Sequence, residues 1–88
     1  MGQSSTRLRR MRKSYTVKCD WDEDARVWFV SETNVPGLAT ESATVESMTK
    51  KLRTLIPELL AMYVSGSEAE VPVELLWHKQ ELICINRG

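Results

Sequence analysis

Strict alternation of apolar and polar residues begins at Tyr15 and continues to Trp21, which predicts a β-strand with one buried face. A polar break at residues 22–25 follows. Residues 26–32 then form a run rich in β-branched and aromatic side chains, which favours a second strand and therefore a β-hairpin. Apolar side chains fall on both faces of this second strand: Trp28 and Val30 on one, Val27 and Phe29 on the other. We expect a central strand that is buried on both sides.

Residues 34–37, with the sequence Asn-Val-Pro-Gly, predict a reversal of the chain after the second strand. Pro36 fixes φ at the first central position of a turn. Gly37 accepts the positive φ that a type II turn requires at the second central position. Residues 38–40 are a candidate for a short third strand.

Apolar residues at helical spacing between Thr44 and Tyr63 predict one amphipathic helix. Thr44 is a suitable N-cap, and Glu46 places a carboxylate at the positive end of the helix dipole. Pro57 lies inside this pattern and removes one backbone hydrogen bond. We expect a single helix with a kink at Pro57; the alternative is a break, with a second short helix that starts there.

The residues after the helix predict strands. Residues 71–77 alternate between apolar and polar positions, and Pro72 restricts that strand to a strand start or a sheet edge. Residues 78–80 predict a polar turn, and residues 81–86 predict a last strand that closes a second hairpin. The expected fold class is α+β, with the order β-β-β-α-β or β-β-β-α-β-β and one amphipathic helix packed on a face of a mostly antiparallel sheet.

The 88 residues have no net charge, but the charges are unevenly distributed. The first 18 residues include six cations and no acid, so they carry a formal charge of +6 and the remaining 70 carry −6. We interpret residues 1–13 as a flexible basic arm and residues 14–88 as one domain. The basic residues of the arm are Arg7, Arg9, Arg10, Arg12 and Lys13. They could neutralise nucleic-acid phosphates. The arm has no aromatic residues for base stacking, so a solubilising tail, or an arm that folds onto an acidic body or a neighbouring subunit, is the alternative.

The composition, with 42% apolar and 27% charged residues, excludes wholesale disorder. Cys19 and Cys84 lie far apart in apolar runs, and we expect both to be buried free thiols in a reducing compartment. The charged N-terminus is followed by no apolar stretch, and no run reaches transmembrane length. The expected location is the cytoplasm, without membrane contact.

Two features of the sequence could indicate chemistry at a site. Asp20, Asp22 and Asp24 imitate the start of a calcium loop, but Ala25 replaces the required glycine and Ser31 the required glutamate, which favours a solvated hairpin turn. His78 is the sole histidine and lies in a predicted turn. No catalytic triad order or phosphate loop is present. We therefore expect no enzyme activity, no cofactor and no metal site.

Three motifs, in this order, resemble the small HicB-like antitoxin domain. They are residues 19–24 with Val27 and Trp28, the Val-Pro-Gly-Leu bend at 35–38, and the Leu-Ile-Pro-Glu-Leu-Leu helix segment at 55–60. The resemblance implies a partly degraded ribonuclease H-like fold that binds and silences a small basic ribonuclease toxin of the HicA type. It also implies a homodimer or higher homo-oligomer. Many HicB-like proteins carry a C-terminal DNA-binding module, whereas residues 71–88 of this chain read as strands.

These expectations define a candidate partner surface and two competing functions. The candidate partner-binding residues are Asp22, Glu23, Asp24, Trp28, Glu32 and Glu41. Such acids could attract a basic partner, although an acidic surface without a partner is the alternative. The tryptophans suggest at least one aromatic side chain near a subunit contact. We predict an antitoxin-type binding protein; the competing functions are a nucleic-acid-binding regulator that uses the basic arm and a small hydrolase with a vestigial ribonuclease H site.

Overall fold

The computed structural model describes residues 14–64 and 71–88, so the basic arm predicted for residues 1–13 lies outside the described residues. Four strands and one helix occur in the order β-β-β-α-β, which confirms the α+β fold class. The elements are β1 (Tyr15–Asp22), β2 (Val27–Thr33), β3 (Glu41–Ser42), α1 (Val45–Tyr63) and β4 (Val73–His78).

The sheet is mixed, with the strand order β3-β2-β1-β4. β1 and β2 form the predicted antiparallel hairpin, and β2 pairs with β3 in the same sense, whereas β1 pairs with β4 in parallel. A parallel neighbour requires a long crossover connection, and α1 lies within that connection. The helix thereby covers one face of the sheet, as predicted.

The hydrophobic core lies between α1 and the residues of β1 that point toward it. Val17 and Cys19 are completely buried. Met48 and Leu52 of the helix are 0% and 1% exposed. The alternation along β1 thus predicted its buried face correctly. β2 differs from the expectation, because none of its residues is fully buried: it has a neighbouring strand at both edges, but its side chains are half-buried or exposed. β1, which pairs along its length with two strands, is the most buried strand instead.

The Val-Pro-Gly bend forms the predicted turn. The amide of Leu38 donates to the carbonyl of Val35 at 3.3 Å, and Gly37 has φ of 75°. A β-carbon at Gly37 would lie 3.3 Å from the Tyr63 ring, so the turn packs closely against the last turn of α1. The third strand forms at Glu41–Ser42 rather than at 38–40, because Leu38 turns into the core before the chain meets β2.

The helix is continuous from Val45 to Tyr63 and passes through Pro57, so the expected single helix is confirmed over the alternative of two. Thr44 caps it as predicted: its side chain accepts a hydrogen bond from the Ser47 amide at 3.0 Å. The stripe buried against the sheet consists of Met48, Leu52 and Ile56. This packing holds the helix together across the proline.

The closing hairpin expected at residues 81–86 is absent. β4 extends through His78, which was expected in a turn, and residues 79–88 form no strand. Pro72 lies directly before β4, and β4 is an edge strand, as its proline required. Cys19 is buried as expected, whereas Cys84 is exposed because the segment around it leaves the sheet.

Candidate protein-binding surface

The face of the sheet opposite α1 carries all five acidic side chains of the described strands; we call it the open face. Side chains alternate along a strand, and the register of the strands shows which ones share this face. Its acidic members are Asp20, Asp22, Glu32, Glu41 and Glu74. Its other main members are Lys18, His78, Phe29 and Leu76. No element in residues 14–64 and 71–88 covers this face.

One row crosses the open face through all four strands. Glu41 of β3 lies opposite Phe29 of β2, Phe29 opposite Asp20 of β1, and Asp20 opposite His78 of β4. Phe29 is half-buried. Leu76, two residues before His78 in β4, is 42% exposed. The row therefore combines carboxylates with an aromatic ring, and it is flanked by an aliphatic side chain.

Asp20 is held by a side chain of the neighbouring strand β4. Its Oδ1 lies 2.9 Å from Nδ1 of His78, and its side chain is 22% exposed. The nearby Ser31 hydroxyl first, and then His78 and the charge of Lys18, hold the pKa of Asp20 below its ordinary value despite the opposing effect of burial. Asp20 is therefore a fixed negative charge at neutral pH.

A β-bulge shapes the end of the open face. The register of the hairpin shifts between Lys18 and Cys19, which leaves Ser31 as an extra residue in β2. The Ser31 hydroxyl also reaches the Lys18 carbonyl oxygen at 3.2 Å. Glu32 lies opposite Lys18 and is exposed. Opposite charges at such a cross-strand pair attract each other, so Lys18 partly compensates Glu32.

The hairpin turn extends the acidic surface beyond the strands, but its acids serve different purposes. Asp22 Oδ1 accepts hydrogen bonds from the amides of Asp24 and Ala25 at 3.0 and 3.1 Å, which closes the turn. Glu23 accepts from the Trp21 indole at 2.8 Å and pairs with Arg26 at 2.6 Å, and these contacts, the indole bond first, lower the pKa of Glu23. Asp24 projects into solvent. Its charge is the one available to a partner.

Trp28 does not lie with the acids among which it was predicted to act. It packs on the helix-covered face, against the core. There it forms edge-to-face contacts with Trp21 and Trp77, both with ring centroids 5.4 Å apart. Such contacts stabilise by about 0.5–1.5 kcal/mol beyond burial. We call Trp21, Trp28 and Trp77 the tryptophan ladder, and its position gives Trp28 a structural role in this chain.

The structure brings together some predicted residues and separates others. Asp22, Glu32 and Glu41 share the open face, and Glu23 and Asp24 lie beside it in the turn. The predicted nucleic-acid-binding residues, Arg7, Arg9, Arg10, Arg12 and Lys13, lie outside the described residues. Within residues 14–64 and 71–88, no group of three or more His, Cys, Asp or Glu side chains is arranged to hold a metal ion. In the same part of the chain, no helix has the length and apolar character to cross a bilayer.

Sequence reasoning missed the Asp20–His78 pair and did not include Phe29 and Leu76 in the candidate partner surface. Asp20 and His78 are 58 positions apart, and only the parallel pairing of β1 with β4 brings them together. Phe29 could have been found: it alternates with Trp28, so if Trp28 faces the core, Phe29 must face away.

Comparisons with known proteins found a matching family model and a similar solved structure. The family model described as a domain of unknown function (DUF1902) matches residues 14–85. The crystal structure of the hypothetical protein TTHA1013 from the extremely thermophilic bacterium Thermus thermophilus is similar to this chain, with 40% identity and a TM-score of 0.53. The similarity covers 80% of this chain and 99% of the Thermus protein. No curated protein sequence matches the chain.

Proposed function

The chain belongs to the DUF1902 family, and from the order of its motifs and the chemistry of its open face we propose that it is a HicB-like antitoxin. In this proposal the domain self-associates and neutralises a small basic ribonuclease toxin of the HicA type by masking it. It makes and breaks no covalent bond. The observation that carries the proposal is an uncovered sheet face on which Asp20 and Glu41 lie on either side of Phe29, with Leu76 two strands away on β4.

The charges of the open face suit a basic protein partner. Asp20 and Glu41 lie in the central row, and Asp24 extends the negative surface at the turn. Complementary charges raise the rate of association and exclude partners of the same sign more than they raise affinity. The acids would therefore guide a cationic toxin onto the sheet.

The apolar side chains of the open face supply the short-range part of the interaction. Phe29 and Leu76 lie on different strands, on either side of β1. Aromatic residues are enriched at the centres of protein interfaces, where charged residues are depleted. A toxin that covers Phe29 would bury an aromatic anchor and leave the acids at the rim.

The first test is the reading frame beside this one, where we expect a small basic protein with a central histidine. That purified protein is the probe. An equimolar amount of this chain should form a stable complex with it and abolish its cleavage of RNA. Persistent cleavage within the complex would contradict the masking mechanism, and RNA cleavage by this chain alone would contradict a purely binding role.

Paired charge variants test whether the open face is the site. Glu32→Gln with Glu41→Gln should lower the association rate at low salt by at least about tenfold. The matched control, Glu46→Gln with Glu58→Gln, removes the same charge from exposed positions of α1 and should leave that rate nearly unchanged. All four positions are exposed, so neither pair should change the free energy of unfolding by more than about 1 kcal/mol. Equal losses of the association rate in the two pairs would mean that the toxin does not bind at the open face.

A further inference from the structure

The segment that follows β4 contains apolar side chains that are exposed. Residues 79–88 form no strand or helix, and they include Leu82, Ile83 and Ile85, which are 90%, 76% and 70% exposed. Single exposed apolar residues are common on protein surfaces, whereas a contiguous group marks an interaction site. We call residues 81–86 the C-terminal arm.

The pattern of the arm is that of a strand covered on both faces. Residues 82–85 read Leu-Ile-Cys-Ile, an uninterrupted apolar run. As a strand, it would place Leu82 and Cys84 on one face and Ile83 and Ile85 on the other.

The connection after β4 does not favour folding back. Tight hairpins use glycine, asparagine or aspartate at positions with positive φ, whereas the chain here reads His78-Lys79-Gln80-Glu81. His78 is bonded to Asp20, and the Lys79 ammonium lies 4.8 Å from the centre of the Trp21 ring. Both contacts are with β1, the inner neighbour of β4. The side chains at the exit of the chain thus point toward β1 and not toward the outer edge of β4.

That outer edge is the natural acceptor for an added strand. β4 has six residues and one neighbouring strand in the sheet, β1. Its outward N–H and C=O groups therefore have no strand partner within the described part of the chain, and such an edge is a template for pairing with another chain. The arm and β4 match in length, and Leu76 of β4 offers apolar surface on the open face.

We propose that two copies of this chain exchange their C-terminal arms, so that residues 81–86 of each add a strand to the outer edge of β4 in the other. The second copy supplies the strand hydrogen bonds that residues 81–86 lack in one copy. This exchange rests on the self-association in the proposed function and is independent of toxin masking. Its test therefore uses the chain alone, without a toxin.

The experiment compares the full chain with one that ends at Gln80, by sedimentation equilibrium. The full chain should be a dimer. The truncated chain should have a dimer dissociation constant that is at least about a hundredfold higher, because it lacks every donor strand. The arm belongs to no element of its own copy, so the truncated chain should retain its circular dichroism spectrum.

Two point variants and a peptide locate the contact. Ile83→Lys should weaken the dimer by at least about tenfold, whereas the matched control Asn86→Lys, at the end of the apolar run, should change it by less than about threefold. A synthetic peptide of residues 81–88 added to the truncated chain should shift the amide resonances of residues 73–78. In the full chain, labelling of the Cys84 thiol should slow as the dimer forms.

Three results would overturn the exchange. A full chain that is monomeric would show that the arm serves a different partner or folds back in its own copy. A truncated chain that dimerises as tightly as the full chain would place the interface elsewhere. Peptide-induced shifts confined to residues outside β4 would show that the acceptor edge is wrong. None of these results depends on the toxin, so each leaves the proposed masking function open to its own test.

Discussion

The helix-covered face and the open face of the sheet use alternate residues of the same strands, and the two carry different chemistry. In β1, Val17 and Cys19 are fully buried beneath α1, whereas Lys18 and Asp20, which alternate with them, are polar and face away. A shift of one residue would exchange the two sets. The alternate residues of a strand thus have separate roles: one set of side chains forms the core, and the other is available for recognition.

The two faces also differ in how their aromatic side chains are held. The tryptophan ladder packs ring edge to ring face on the covered side, where it borders the core. Phe29, on the open side, has strand neighbours at its edges but no layer above it within the described residues. An aromatic ring in that position contributes less to folding and more to contact with a partner.

The largest expected difference between the two faces is the loss of unfolding free energy when a side chain on each face is shortened to alanine. Leu52→Ala removes a side chain that is 1% exposed between α1 and the sheet, and it should lower the free energy of unfolding by about 2–5 kcal/mol. Leu76→Ala, the matched change on the open face, should lower it by less than about 1 kcal/mol, because Leu76 is 42% exposed. Urea denaturation, at a protein concentration low enough to keep the chain monomeric, measures both losses of stability. Comparable losses would mean that the open face is also a core.

The covered face and the helix could be predicted from the sequence because their signals are local. Period two along β1 and the three- and four-residue spacing along α1 each describe one element without reference to another. Thr44 and Gly37 were identified by the same local logic, from capping and turn chemistry. The buried residues of α1 and β1 follow directly from these patterns.

The open face could be predicted only in part, because its layout depends on which strands are neighbours. His78 was assigned to a turn, and nothing near it in the chain indicates that β4 places it beside Asp20. Residues 81–86 have the composition of a strand but no strand beside them in one copy. Periodicity identifies a segment that can pair; it does not identify the partner of that segment.

A second prediction separates the structural from the electrostatic role of an acid on the open face. Asp22→Ala removes the acceptor of the Asp24 and Ala25 amides and should cost about 1–3 kcal/mol of folding stability. Asp22→Asn retains an Oδ1 acceptor and removes the charge, so most of that loss should disappear. Thermal and urea unfolding of both variants measure the difference. If Asn destabilises as much as Ala, the charge rather than the turn geometry holds the hairpin closed.

The smallest expected effect is a pH dependence that originates at Asp20. Its hydrogen bonds lower its pKa in the folded chain, so ionised Asp20 favours folding. That stabilisation is complete above the pKa of an unfolded aspartate, about 3.9, and is lost as the pH falls through the lower folded value. Between neutral pH and that acid range, the wild-type chain should therefore lose more unfolding free energy than Asp20→Asn does. Asp24→Asn removes the same charge from the solvent-exposed turn and is the control. Urea denaturation at several pH values would show whether acid sensitivity follows Asp20. An unchanged pH profile in Asp20→Asn would mean that the carboxylate bonds on the open face contribute nothing measurable to folding, and the division between the two faces would be sharper than the structure suggests.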